Sequence, residues 1–307
     1  MKRSEINRYI NDAKKFFLIY RTLYVTLQKK LHRMKKLTTI YIIASSLALI
    51  SCNSYNQVFK STDYEYKYEA AKEYFATGQF LRSAQLLEQT VVMFKGSDKA
   101  QESLFMLAMC YYNTNDFETA SLYLERYFKT YPKGEYTELA RFYAGKASYL
   151  QSPDPRLDQT PTHAAINLLQ EFLDQFPYSD RREEANDMIF QLQDRLVQKE
   201  LNSAQLYYNL GNYVGNCANG GSNYEACIIT AENALRTYPY TNMREDLYML
   251  ILRARYQLAC NSVEERSDER FRDAIDEYYG FKNEFPESKY TKEADQIFYK
   301  SDKKLNK

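Results

Sequence analysis

The sequence predicts an all-α protein, an α-solenoid of about five helical hairpins. Three observations carry that reading. Gly (9) and Pro (7) are scarce in 307 residues, and a β-sandwich or barrel turning every 8–12 residues or so would lack turn residues. Four of the seven prolines follow an aromatic residue, at Tyr131-Pro132, Phe176-Pro177, Tyr238-Pro239 and Phe285-Pro286. These four share a register. Twelve residues before each proline stands a small residue, Ala120, Ala165, Cys227 or Ala274, and five before stand Tyr127, Phe172, Ala234 and Phe281.

Helix pairing explains the register. Leu104, Leu107, Ala108 and Tyr111 recur at i, i+3, i+4, i+7 and form one apolar stripe, and Ala274, Ile275, Tyr278 and Phe281 form a similar one. A small residue lets two helices approach closely, and proline stops each pair. One pair cannot bury its apolar face alone, so neighbouring pairs must stack. A composition of 45% hydrophobic and 26% charged residues supports a packed core.

In chain order, a first copy spans 64–97, with Ala71, Tyr74, Gly78, Phe80 and Leu87 in place, Ser83 at the small site and Lys95 instead of proline. The most regular copy is 101–134. A third, 138–179, carries an insertion at Gln151–Pro161 that holds the other three prolines. A fourth, 200–241, carries one at Asn216–Asn223, and a fifth, 245–288, contains the charged run Glu264–Arg270, read as a solvated insertion. The array is expected over 64–300, with 301–307 a tail. Proline-to-proline spacings of 45, 62 and 47 measure the insertions. The pattern resembles the tetratricopeptide repeat, a helix-turn-helix unit of about 34 residues.

Charge is unevenly placed. Residues 1–36 hold 11 Lys/Arg and two acids, leaving 30 basic and 38 acidic residues for the rest. A net-acidic body argues against nucleic-acid partners, which need a basic face. Met34-Lys35-Lys36, the apolar run Leu37–Ile50 and then Ser51-Cys52 follow the order of a secretory signal. Leu49-Ile50-Ser51-Cys52 resembles a bacterial lipobox, which implies cleavage before Cys52 and a covalent lipid on its sulfur. Residues 34–51 are thus expected to be a lipoprotein signal peptide, 52–63 a polar tether, and 1–33 an over-extended start outside the mature protein. Several acyl chains, at about 0.8 kcal/mol per buried methylene, would anchor the chain stably.

Little points to catalysis or metal binding. His32 and His163 are the only histidines, and Cys110, Cys217, Cys227 and Cys260 match no zinc spacing. Cys217 and Cys227 flank a loop, a placement compatible with a disulfide in an oxidising compartment, while the favoured reading is small buried apolar residues. The expectation is a non-enzyme with no metal and no cofactor beyond the lipid.

Five irregular repeats behind a lipobox, with Phe-Pro-x-Ser closing two of them (Phe176–Ser179, Phe285–Ser288), resemble the BamD/YfiO family of outer-membrane assembly lipoproteins. The resemblance implies a scaffold at the periplasmic face of the outer membrane. Its implied partners are the periplasmic domains of BamA, other subunits of that complex and unfolded outer-membrane protein segments. Asn53, in place of the Asp that commonly retains lipoproteins at the inner membrane, agrees with outer-membrane sorting. In such arrays first helices line a groove, and the pattern places Tyr68, Phe75, Phe105, Met109, Tyr112, Phe142, Lys146 and Tyr149 there. An aromatic, Met-bearing groove suits extended segments with alternating aromatic side chains; the alternative is that several are core. The competing function is another periplasmic repeat adaptor, for cell-wall or division machinery.

Overall fold

A computed structural model describes residues 55–213 and 222–306. Cys52, the apolar run before it and Cys217 lie outside these residues. Among the described residues, eleven helices follow the short helical segment 55–60: α1 (Tyr64–Ala76), α2 (Phe80–Met93), α3 (Asp98–Asn113), α4 (Phe117–Thr130), α5 (Thr137–Gln151), α6 (Thr160–Gln175), α7 (Arg182–Leu210), α8 (Asn223–Thr237), α9 (Arg244–Cys260), α10 (Glu264–Glu284) and α11 (Thr291–Leu305). No strand occurs among the described residues. Each helix packs chiefly on its chain neighbours, as an all-α solenoid requires.

The proline register acts as expected. Tyr131, Phe176, Tyr238 and Phe285 end α4, α6, α8 and α10 with φ between −128° and −125° and ψ between 62° and 70°. The following proline excludes helical geometry from the residue before it. The first hairpin, which has Lys95 instead, stops differently: Gly96 takes φ 92°, a left-handed conformation that glycine adopts without strain. The small sites are close contacts, with Ala120, Ala165, Cys227 and Ala274 all 0% exposed. Ser83 fills the first of them, and its Oγ donates to the Ala71 carbonyl at 2.8 Å. Asp63, Asp116 and Ser222 cap α1, α4 and α8 by accepting backbone N–H groups.

Four segments differ from the sequence expectation. Helix α7 is 29 residues long and begins at Arg182, not near 200. Its first half (Ala185, Met188, Ile189, Leu192) packs with Phe142 and Phe172 on the third hairpin. Its second half (Val197, Ala204) joins Cys227, Ala231 and Leu250 in the next core. One helix therefore serves two cores. Glu264–Arg270 is the start of α10 rather than an insertion, because Glu264 and Glu265 favour a helix N-terminus. Residues 55–60 are helical, and Val58, 5% exposed, enters the first core, so the polar stretch is no free tether. At the far end Ala294 and Ile297 of α11 cover Met249, Leu252 and Phe281, and Ser301 is buried within the span expected as a tail.

Cys110 and Cys227 are buried thiols. Burial pushes Cys110 up to about 11 and Cys227 up to about 12, so both stay protonated at neutral pH.

Candidate functional site

The first helices of successive hairpins are joined by side chains that cross between them. Tyr68 of α1 donates its hydroxyl hydrogen to Glu102 of α3, and Lys72 lies 3.2 Å from the same carboxylate. Lys99 of α3 pairs back to Glu65 of α1. Tyr112 of α3 meets Tyr143 of α5 edge-on at 5.1 Å. Lys146 Nζ lies 2.6 Å from Glu184 Oε1 of α7, and the Tyr149 hydroxyl donates to Gln191 Oε1 at 2.5 Å. These contacts make one continuous face across α1, α3, α5 and the start of α7.

Five of the eight expected groove residues, Phe105, Met109, Tyr112, Lys146 and Tyr149, are half-buried on this face. Phe105 stacks on Tyr136 with centroids 4.7 Å apart and planes 8° from parallel. Tyr68 and Phe142 belong to the core instead, at 2% and 1% exposure. Their rings turn inward, Tyr68 onto Phe94 and Phe142 onto Phe172 of its own hairpin, and only the Tyr68 hydroxyl reaches the polar edge. Phe75 packs edge-on against Phe80 at 5.5 Å inside the tip of the first hairpin.

A cavity of about 440 Å³ opens between α1, α3 and the turn before α5. Lys72, Lys99 and Lys133 line it together with Glu69, Glu102 and Glu135. The aromatic pattern did not single these residues out, although a signal was present. Glu65 and Lys99, like Tyr68 and Glu102, stand 34 positions apart, one repeat length. Burial opposes the charge on Glu102, but hydrogen bonds from Tyr68 and Lys72 outweigh it and hold the carboxyl below its ordinary value. Burial likewise disfavours the Lys146 ammonium, and the hydrogen bond to Glu184 more than reverses this. The face is thus a set of half-buried rings flanked by ion pairs.

His163 is exposed near the start of α6 and lines a separate cleft of about 370 Å³ with Lys199 and Tyr238. Among the described residues no three His, Cys, Asp or Glu side chains converge as a metal site, and no helix is long and apolar enough to cross a membrane.

Comparison with known proteins adds a family. The chain is 23% identical over 244 residues to the outer membrane protein assembly factor BamD of Vibrio cholerae, covering 76% of this chain and 96% of that one. It is 23% identical over 186 residues to BamD of Pasteurella multocida, covering 57% and 71%. A kinesin light chain structure from Podospora anserina with nearly identical TPR-like repeats aligns at 16% identity over 72% of this chain and 95% of its own, with a TM-score of 0.30. A family model described as YfiO, outer membrane lipoprotein, matches residues 61–220. That match spans just over half of the sequence, from the first hairpin through α7, and the chain belongs to the YfiO outer membrane lipoprotein family.

Proposed function

We propose that the protein is a lipid-anchored scaffold of outer-membrane β-barrel assembly, fixed at the periplasmic face by a lipid on Cys52. Its first three hairpins receive extended segments of unfolded outer-membrane proteins, and the array binds the periplasmic domains of BamA and other subunits of that complex. The observation that carries this reading is the line of half-buried rings Phe105, Tyr112 and Tyr149, set between cross-helix ion pairs on one face. Strands of a barrel alternate apolar and polar side chains with a period of about two residues, and such a face can take both. The relatives named as assembly factors support the same reading. The protein works by contact: it holds segments out of solution, and the buried thiols are inert packing groups.

The test is crosslinking in intact outer membranes followed by purification of this chain. Recovery of BamA together with immature barrel proteins is the expected result. Recovery of cell-wall or division enzymes alone would replace assembly by the adaptor role.

A further inference from the structure

The polar stretch after Cys52 is captured by the body almost at once. The Tyr55 ring lies edge-on to Tyr74 at 5.6 Å, with the Arg82 guanidinium 5.3 Å from its centroid. The Tyr55 hydroxyl donates to Gln85, and Val58 is buried in the core that holds Leu86 and Leu87. Only Asn53 and Ser54 stand between Cys52 and this packed residue. Three Cα–Cα steps reach at most about 11 Å, whereas a free tether to Asp63 would reach roughly 40 Å. The headgroup layer is itself about 5–8 Å deep on each side of the hydrocarbon. A chain whose lipid sits in the hydrocarbon therefore cannot hold its first hairpin clear of the surface.

The side chains around the point of capture suit such a surface. Leu81, next to the Arg82 that covers Tyr55, is 68% exposed. Phe59, whose ring centroid is 5.9 Å from that of Tyr55, is 38% exposed, and Lys60 beside it is exposed. Apolar side chains enter the headgroup and upper acyl region, and a lysine meets anionic headgroups.

We propose that the first hairpin docks on the phospholipid surface of the bilayer that holds the Cys52 lipid, through Phe59, Lys60 and Leu81; this rests on lipidation at Cys52 as proposed above. The cavity lined by Lys72 and Lys99 belongs to the first two hairpins, so the docked array presents it close to the membrane. The later hairpins then project from a fixed base.

The test uses the full lipidated chain in vesicles of phosphatidylethanolamine and phosphatidylglycerol that contain nitroxide-labelled lipid. A fluorophore is placed by Leu81→Cys or, as a reference on the fourth hairpin, by Leu206→Cys, in a background where Cys217 and Cys260 are serine. The expected result is quenching several-fold stronger at 81 than at 206. A long Gly/Ser insertion between Ser54 and Tyr55 should leave the lipid attached and reduce quenching at 81 to the level at 206. Equal quenching at both positions in the uninterrupted lipidated chain would overturn docking and leave the anchor intact. Palmitate incorporation that is the same in the native chain and in Cys52→Ala would overturn the anchor, and docking with it.

Discussion

Ser179 Oγ donates a 2.6 Å hydrogen bond to Glu138 Oε1, joining the turn after the third hairpin to the start of that hairpin's first helix. The Ser179 Oγ also accepts from the Arg181 N–H at 3.2 Å. The arrangement recurs. Thr241 links Asp194 to the Met243 N–H, and Ser288 links Glu245 to the Tyr290 N–H. After the second hairpin glycine stands at the serine site, and the Tyr127 hydroxyl takes over, donating to Gln101 and accepting from the Tyr136 N–H. A Cβ on Gly134 would lie 2.7 Å from that hydroxyl, so the glycine makes room for its substitute. Each junction thus satisfies a helix-start N–H and ties one hairpin to the next.

Ser179→Ala should destabilise the array by about 1 kcal/mol, since it removes one hydrogen bond and leaves an N–H short of a partner. Glu138→Gln should cost less. The double variant should lose less than the sum, because the two side chains act on one bond. Chemical denaturation of the four proteins measures this; strict additivity would mean that the contact contributes nothing.

Ala120→Arg should be far more damaging. Ala120 is 0% exposed where α4 crosses its neighbours. Burying an unpaired guanidinium there costs on the order of several kcal/mol. A melting temperature equal to that of the wild type would show that the small site is not a helix crossing.

The register of the hairpins was legible because proline and small residues report backbone geometry and close approach directly. The length of α7 was not. Ala185, Met188, Ile189 and Leu192 stand at helical spacing, but a unit of about 34 residues has no place for a helix shared by two cores. The charged run at 264–270 is solvated as expected, yet solvation does not distinguish a loop from the exposed turn of a helix. The capture of Tyr55 left no period to read, since only Val58 of that segment is buried. Among the eight residues expected to line a groove, helical periodicity does not report how deeply each ring is buried. Phe105 stays half-buried, whereas Phe142 seals the core.

Phe105→Ala should weaken binding of peptides from barrel strands by roughly tenfold, the equivalent of about 1.4 kcal/mol. Phe142→Ala should act through stability instead, by about 3–5 kcal/mol for a buried Phe. Peptide titration by fluorescence anisotropy, read beside thermal melts, separates the two. An unchanged affinity for the folded Phe105 variant would remove that ring from the site.

Acid should loosen the far end of the array. Arg253 grips Glu293 of α11 with two hydrogen bonds, at 2.7 and 2.6 Å. These bonds hold the Glu293 carboxyl below its ordinary value of 4.5. A carboxylate whose folded value is lowered adds stability above its unfolded value and loses it as pH falls through the folded one. The pair is partly exposed, so the effect should stay within about 1 kcal/mol. The protection factors of the α11 amides, corrected for the pH dependence of intrinsic exchange, should fall in the native chain as the pH drops below the ordinary carboxyl value of 4.5. Glu293→Gln should exchange faster at neutral pH and respond less to acid.

Helix α7 runs 29 residues, about 43 Å, with the third hairpin seated on one end and the fourth on the other. The two halves of the molecule therefore share a spine rather than a joint. Twisting one against the other means flexing a hydrogen-bonded rod, which is stiff along its axis. A load taken up by the early hairpins is handed to the late ones as torque, without slack.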